Sequence, residues 1–246
     1  MSGRVREIER TSAPIETAEY YWDVIAKTAM NRYLTEIETA FIEREIDQLG
    51  RKPAVVVDAG AGRGRLTRLL AARAEHVIAT EARQELVDSL SEIALNVTPQ
   101  FVSPDSVALP LKDESVDIVI AIEAAGLTHS PEFHRECARV LRPDGVFVLT
   151  LQNRASWKGL LARLRRSRYR AEHGATYYVW SFGELKRSLG DAGLRVTHAA
   201  GLNWLPFMRD SDNGLIGPLS VAERVLGLRK LASVSPWVLL SANRSG

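Results

Sequence analysis

The sequence lacks the features that mark several classes of protein. Its 246 residues contain a single cysteine, Cys137, which excludes an internal disulfide and a thiolate metal cluster. No apolar run reaches the roughly 18 residues that span a bilayer, and the first residues lack the apolar core of a signal peptide. Internal repeats and low-complexity segments are absent as well. We therefore expect a globular, cytoplasmic protein without a metal site.

The chain also lacks a strong excess of charge of either sign. Its formal net charge is +2, from 32 basic and 30 acidic residues. This balance argues against a nucleic-acid partner, for which a clustered basic surface is typical. The apolar fraction of 46% and the charged fraction of 25% are those of a folded domain with a core. The length suits one α/β domain with additional segments.

One segment is particularly informative. Residues 55–64 read VVVDAGAGRG and join a buried-strand pattern, with Asp58 near its end, to a glycine-rich turn. Glycines allow positive φ and a close approach of the backbone to a ligand. The dinucleotide pattern GxGxxG would need a glycine where the chain has Arg65, and no Gly-Lys-Ser/Thr of a phosphate-binding loop follows. The turn therefore predicts a site for a nucleotide-like cofactor of another kind.

Hydrophobic periodicity predicts strands that alternate with helices. This alternation indicates an α/β fold with a doubly wound, parallel sheet. A turn is expected at 142–145. We expect strands from Val55 and at 76–80, 101–102, 116–122, 146–151, 194–198 and 237–242, and helices at 66–74, 84–96, 131–141 and 181–192.

Three further segments surround this pattern. Residues 1–50 are predicted to form a helical N-terminal arm or cap, with helical spacing from about 15 to 49. Residues 51–246 then form the main domain, with lid insertions near 152–180 and 201–235. We expect these additions to cover one edge of the sheet.

The acid followed by GxGxG resembles the first motif of the class I S-adenosylmethionine-dependent methyltransferases. Two later segments are similar to motifs of the same family, in its type 11 and ubiquinone-pathway O-methyltransferase-like branch. Residues 102–111, VSPDSVALPL, resemble its Asp-Ala-x-x-Leu-Pro-Phe segment, and residues 138–145, ARVLRPDG, resemble its Ala-Arg-Val-Leu-Arg-Pro-Gly-Gly segment. The resemblance covers about residues 54–151. It implies a Rossmann-like, mostly parallel, seven-stranded sheet whose last strand is antiparallel.

The resemblance also implies S-adenosyl-L-methionine as cofactor and S-adenosyl-L-homocysteine as product. The glycine turn would lie along the methionine part, and Asp58 would order the ammonium group. Glu81, at the end of the second strand, would accept hydrogen bonds from the ribose hydroxyls, and Asp105 would accept one from the adenine amine. Glu123 would line the amino-acid end or orient a substrate; alternatively it is a buried acid paired with an arginine. The residues expected to bind the cofactor are Asp58, Gly60, Ala61, Gly62, Glu81, Ala82, Asp105, Ser106 and Glu123.

The candidate catalytic residues are two histidines. After the fourth strand the chain has Ala125-Gly126 where many relatives carry a histidine pair, so no inherited base is expected there. His129 lies in the same loop and is a candidate general base, because its ordinary pKa is near 6.5; alternatively it only precedes a helix. His173 is the second candidate.

A basic amphipathic helix is predicted at 156–170. It follows residues 149–154, LTLQNR, which resemble the Thr-x-Asn-Arg turn of the ubiquinone-pathway O-methyltransferases and their relatives. Apolar residues recur from Trp157 at helical spacing among basic residues without an acid. Three interpretations are open: peripheral contact with an anionic membrane, a lid packed on the protein's own core, or a site for an acidic or phosphorylated substrate.

These observations favour O-methylation of a small amphiphilic, aromatic or sugar-containing acceptor, such as a lipid, a quinone precursor or a natural product. Nitrogen and carbon acceptors stay open. One alternative is a non-catalytic protein that binds S-adenosylmethionine, because the histidine pair is replaced. A second is an NAD-dependent oxidoreductase, which shares the sheet and Glu81 but is disfavoured by Arg65. The sequence carries no signal for the oligomeric state.

Overall fold

The computed structural model of the chain describes residues 26–164 and 177–244. Helices and strands alternate along most of its length. The helices are α1 Ala29–Gln48, α2 Arg65–Arg73, α3 Gln84–Leu90, α4 Ala125–Thr128, α5 Pro131–Val140, α6 Trp157–Leu164, α7 Phe182–Asp191 and α8 Ile216–Val225, with a 3-10 turn at Leu228–Lys230. The strands are β1 Val55–Ala59, β2 His76–Glu81, β3 Val97–Phe101, β4 Val116–Ala121, β5 Leu141–Gln152, β6 Leu194–Leu202 and β7 Trp237–Arg244.

The strands form one seven-stranded sheet in the order β3-β2-β1-β4-β5-β7-β6. Strands β1 to β5 pair in parallel, whereas β7 is antiparallel to both β5 and β6. The predicted fold, including its antiparallel last strand, is confirmed. The order reverses between β1 and β4, and ligands of such sheets bind in the crevice at this point, outside the carboxyl ends of the strands.

Helices cover both faces of the sheet, which explains the apolar character of its central strands. Every residue of β4 is buried. Ile118 and Ile120 belong to one apolar cluster and Val119 to the other, because successive side chains of a strand point to opposite faces. Residues of α1, among them Leu34 and Ile42, join the first cluster. The N-terminal helix is therefore part of the core on that face.

Several predicted boundaries differ from the structure. The third strand is Val97–Phe101 rather than 101–102, and α3 ends at Leu90 because turns at 91–96 lead into that strand. The predicted turn at 142–145 lies within β5, whose Leu141 pairs with Val116 before a register irregularity. β6 continues to Leu202, because its pairing with β7 extends that far.

The first described helix, α1, begins at Ala29. Thr28 caps α1 by accepting a hydrogen bond from the backbone N–H of Asn31 (3.3 Å), and the Thr28 hydroxyl donates to the carbonyl oxygen of Arg209 (2.7 Å). The predicted helical residues before 26 lie outside the described part of the chain.

Helix α6 presents its apolar stripe to solvent. Trp157, Leu160 and Leu164 are 40%, 50% and 72% exposed, whereas Gly159 and Ala162 are buried. A Cβ atom at Gly159 would lie 2.6 Å from the carbonyl oxygen of Arg154, so this face of the helix must be free of large side chains. In the described part of the helix these three apolar side chains are thus exposed, whereas Leu161 of the same stripe is half-buried. Residues 165–170 of the predicted helix lie outside the described residues.

Among the helices in 26–164 and 177–244, none has the length and apolar character needed to traverse a bilayer.

A buried carboxylate fixes the amino-terminal ends of β1 and β4. Asp117 accepts hydrogen bonds from the backbone N–H groups of Ala54 (2.7 Å) and Val55 (2.9 Å), and it pairs with Arg51 and Arg142 (2.7 Å each). Burial alone would raise the pKa of Asp117, but the Val55 N–H and the two guanidinium groups outweigh burial and hold it below its usual range. This carboxylate joins the starts of β1, β4 and β5.

We predict that Asp117→Asn lowers the free energy of unfolding at pH 7 by about 3 kcal/mol, because two cations lose their buried partner. Asp144→Asn removes only the exposed partner of Arg51 and should cost less than about 1 kcal/mol. Urea unfolding of both variants measures the difference. Since the pKa of Asp117 is lowered by folding, its stabilising contribution is lost as the pH falls through that pKa. Equal effects of the two substitutions would contradict this assignment.

Candidate functional site

The glycine-rich turn lies at the reversal of strand order. Gly60, Gly62 and Gly64 have φ values of 74°, 57° and 76°, a region that side chains disfavour. A Cβ atom at Gly60 would lie 3.2 Å from the Cβ atom of Ala124, in the loop after β4. A Cβ atom at Gly64 would lie 2.1 Å from Cδ1 of Ile93. Gly60 thus keeps the gap between two strand ends open, whereas Gly64 permits helix packing.

The backbone donors of this turn are bonded to β2. The N–H groups of Gly60 and Ala61 both donate to the carbonyl oxygen of Thr80, at 3.0 and 2.9 Å. The N–H of Gly62 donates to Oε2 of Glu81 (2.9 Å). These bonds hold the turn in one conformation, so a ligand would meet a preformed surface without side chains.

Glu81 ends β2 beside this turn and is buried. Its Oε1 accepts hydrogen bonds from the backbone N–H groups of Ala82 (2.8 Å) and Arg83 (3.2 Å), in addition to the Gly62 bond at Oε2. A carboxylate has about four acceptor sites. Glu81 can therefore still accept a hydrogen bond from a ribose hydroxyl, and accepting a second would require it to release one of these N–H groups.

Asp58 is a buried acid at the carboxyl end of β1, with 3% of its surface exposed. Its Oδ2 accepts a hydrogen bond from the hydroxyl of Thr67 in α2 (2.6 Å). Burial raises the pKa of Asp58 to about 6, although the Thr67 hydrogen bond and the charge of Arg65 act in the opposite direction. The site thus holds a carboxylate that a bound cation would stabilise.

Asp105 and Ser106 lie in the exposed segment that follows β3. The N–H of Val102 donates to the carbonyl oxygen of Glu81 (3.0 Å), which ties the start of this segment to the end of β2. Ser106 Oγ accepts a hydrogen bond from the N–H of Ala108 (3.2 Å). Asp105 is exposed and has no hydrogen-bond partner in the described part of the chain. Its contact with an adenine amine stays a prediction.

Glu123 follows β4 and is paired with an arginine that the sequence did not reveal. Its backbone has φ of 60°, and its N–H donates to Oγ1 of Thr150 (2.6 Å). Its carboxylate contacts the guanidinium of Arg209, which is buried. Arg209 also donates to Oδ1 of Asn31 (2.5 Å) and lies 3.6 Å from Glu38 Oε1 in α1. The role of Glu123 toward the cofactor stays a prediction.

His129 ends α4, next to the cap of α5. Its ring centroid lies 5.7 Å from that of Trp180, and its Nε2 has no hydrogen-bond partner among the residues described. Burial lowers the pKa of His129 to about 4, so the imidazole is neutral at pH 7. Ser130 caps α5 through the N–H of Phe133. His173 lies outside the described residues, and both catalytic assignments stay predictions.

Sequence reasoning missed several polar groups at this edge of the sheet. Thr67 and Arg209 belong to no recognised motif. Lys158 was assigned to a basic surface, yet its Nζ donates to Oδ1 of Asn203 (2.7 Å) and to the carbonyl oxygen of Phe207 (3.1 Å). The helical spacing of apolar residues in 157–164 predicts a helix, but it does not predict which face of that helix packs on the core.

Across residues 26–164 and 177–244, no group of three or more His, Cys, Asp or Glu side chains is arranged to hold a metal ion. Cys137 is buried, which raises the pKa of its thiol well above the ordinary value.

Sequence comparison relates the central part of the chain to known methyltransferases. Residues 57–149 match the family described as methyltransferase domain. An uncharacterised methyltransferase-like protein of Schizosaccharomyces pombe is 29% identical over 145 residues, which cover 58% of this chain and 56% of that protein. The malonyl-[acyl-carrier protein] O-methyltransferase of Geobacter sulfurreducens is 28% identical over 160 residues, covering 59% and 57%. The chain thus spans about half the length of the curated relatives it matches.

Comparison with solved structures gives the same result for the fold. The 1,6-didemethyltoxoflavin-N1-methyltransferase of Burkholderia thailandensis, solved with 1,6-didemethyltoxoflavin and S-adenosylhomocysteine bound, superimposes with a TM-score of 0.56 and 20% identity. The match covers 91% of this chain and 82% of that enzyme. The strand order, the acid and glycine turn after β1, and the family match across 57–149 together identify a methyltransferase domain of the S-adenosylmethionine-dependent type within this chain.

Proposed function

We propose that this chain binds S-adenosylmethionine at the turn after β1 and transfers its methyl group to a hydroxyl of a small amphiphilic or aromatic acceptor. One observation carries the proposal. Asp58 is a buried carboxylate beside a glycine-rich turn, and no cationic side chain of the described residues forms an ion pair with it. The ammonium group of the cofactor would be the cationic partner of this carboxylate.

The proposed cofactor contacts follow the carboxyl ends of the strands. Asp58 orients the ammonium group, Glu81 binds a ribose hydroxyl, and Asp105 accepts a hydrogen bond from the adenine amine. Glu123 is fixed by Arg209 and orients the amino-acid end or the acceptor. S-adenosylmethionine supplies an activated methyl group, so the chain mainly has to align the acceptor with it and exclude water.

The proposed acceptor atom is an oxygen. A hydroxyl must lose a proton as it is methylated, and the neutral imidazole of His129 has an unpaired Nε2 in the described part of the chain that can accept one. The Geobacter relative is named as an O-methyltransferase. The Burkholderia enzyme is named as an N1-methyltransferase, however, so the fold alone does not select the atom.

We predict that the affinity for S-adenosylhomocysteine depends on the ionisation of Asp58. The pKa of Asp58 is raised to about 6, so binding of an ammonium group must be weaker below this pH. Calorimetry should show affinity about tenfold lower at pH 5 than on the plateau above pH 7. Asp58→Asn should bind weakly at every pH, without this dependence.

Thr67→Val is the matched control for this experiment. It keeps the carboxylate but removes a hydrogen bond that lowers its pKa, so the midpoint of the pH dependence should move upward. NAD should not bind to the wild-type protein. Identical pH profiles for the wild type and Asp58→Asn would refute the assignment of Asp58, and tight NAD binding would favour the oxidoreductase alternative.

We predict that His129→Gln slows methyl transfer without weakening the binding of S-adenosylhomocysteine. General-base catalysis contributes on the order of 100-fold or more, so a loss of about that size is expected. The assay follows transfer of the labelled methyl group of S-adenosylmethionine into the small-molecule fraction of a cell extract. Binding of S-adenosylhomocysteine without any transfer by the wild type would instead support a non-catalytic binding protein.

We also propose peripheral contact with anionic membranes through α6. Its exposed apolar stripe of Trp157, Leu160 and Leu164 lies beside Arg163, also exposed, on an eight-residue helix. Apolar side chains can enter the interface while basic groups near the surface contribute about 1 kcal/mol each. The remaining basic residues at 165–170 lie outside the described part of the chain.

We predict that vesicles rich in anionic lipid sediment the protein at low salt. The double variant Leu160→Ser, Leu164→Ser should reduce the sedimented fraction several-fold, because it removes apolar area from the exposed stripe. Val225→Ser removes a comparably exposed apolar side chain from α8 and should have little effect. Absence of sedimentation, or equal losses in the two variants, would refute the membrane contact.

A further inference from the structure

Lys158 is a largely enclosed cation whose hydrogen-bond partners are neutral. Its Nζ donates to the amide oxygen of Asn203 (2.7 Å) and to the backbone carbonyl oxygen of Phe207 (3.1 Å). An ammonium group has three donors. In the described part of the chain the third donor has no acceptor, and no carboxylate lies within ion-pair distance of Nζ.

The acid whose charge acts on Lys158 is Glu223, but this carboxylate pairs with Arg229. Glu223 in α8 is buried, and its Oε1 lies 3.5 Å from Nε of Arg229. Burial lowers the pKa of Lys158 to about 8, whereas the charge of Glu223 acts in the opposite direction. Lys158 therefore stays mostly protonated at pH 7. An anionic ligand would offset the free-energy cost of desolvating its charge.

The surrounding backbone holds this arrangement in place. Asn203 has φ of 64°, a left-handed conformation that asparagine tolerates better than most residues. This conformation occurs immediately after β6, at the point where its amide oxygen accepts from Lys158. The segment from Asn203 to Arg209 thus links Lys158 to the Glu123 ion pair.

Lys158 lies at the same sheet edge as the proposed cofactor site, on the side away from β1 and β2. It follows β5, Asn203 follows β6, and both strands have their carboxyl ends at this edge. Arg209 of the same segment lies over the ring of Trp237, at 5.6 Å, and reaches Glu123 after β4. If the cofactor occupies the ends of β1 and β2, Lys158 lies on the other half of this edge, beyond the end of β4.

We propose that Lys158 binds a carboxylate of the methyl acceptor, which is therefore an amphiphilic carboxylic acid. This inference rests on the proposed function. A carboxylate matches a single ammonium with one free donor, whereas a phosphate dianion carries two negative charges that one ammonium does not balance. The ring of Trp157, 5.4 Å from Nζ, and the exposed side chain of Met208 supply apolar surface beside the charge.

The experiment measures the binding of a matched pair of probes, hexanoate and hexanamide, to the protein saturated with S-adenosylhomocysteine. The wild type should bind hexanoate at least about tenfold more tightly than hexanamide, since a charge-assisted hydrogen bond forms with the acid alone. Lys158→Met should remove this preference while its affinity for S-adenosylhomocysteine is unchanged. Lys186→Met, on the surface of α7, should keep both properties.

A second measurement uses the wild-type protein and does not depend on the folding of the Met variant. Carbon-13 NMR of the lysine Cε atoms, with Lys158→Arg for assignment, should show that hexanoate raises the pKa of Lys158 and that hexanamide does not. Equal binding of the two probes, together with an unchanged pKa of Lys158, would refute the carboxylate site. The proposed function would not be affected by that result. Failure of S-adenosylhomocysteine to bind at all would instead overturn the proposed function, and this inference with it.

Discussion

The burial of Asp58 beside a turn without side chains is the constraint on which the site depends. An ionised carboxylate in an apolar surrounding destabilises the fold, and the single hydroxyl of Thr67 offsets only part of that cost. The buried acid Asp117, by contrast, is fully paired with two arginines and two backbone N–H groups. This contrast marks Asp117 as a structural carboxylate and Asp58 as a candidate ligand-binding residue.

The two halves of the proposed site, one for the cofactor and one for the acceptor, are built in different ways. On the cofactor side, short-range hydrogen bonds between the turn and the end of β2 preform the surface before any ligand binds. On the acceptor side, groups far apart in sequence meet through Arg209, which joins the end of β4 to α1. Lys158 is tied to the same segment through Phe207. Differences among relatives in acceptor are therefore expected to reside in α1, α6 and residues 203–213.

Some elements were predictable because their signals are local. The acid, the glycine turn and the fully apolar β4 follow from strand burial and backbone sterics, and the structure places this turn at the reversal of strand order. The edge strand β3 was misjudged, since it is half exposed and contains Pro99, so neither an apolar run nor strict alternation marks it. The predicted turn at 142–145 was absorbed into β5 because pairing with Val116 begins at Leu141.

The sequence by itself determined the sheet, its order of elements and the position of the glycine-rich turn, because these depend on hydrophobic periodicity and on glycines at positive φ. Only the tertiary structure decided that α6 turns Gly159 and Ala162 inward and its apolar stripe outward, because a close approach to the Arg154 carbonyl leaves room for no larger side chain. The tertiary structure likewise decided that Glu123 pairs with Arg209 and that Lys158 donates a hydrogen bond to Asn203. Such pairings join residues more than 40 positions apart, and no local pattern encodes which of many charged side chains will be buried together.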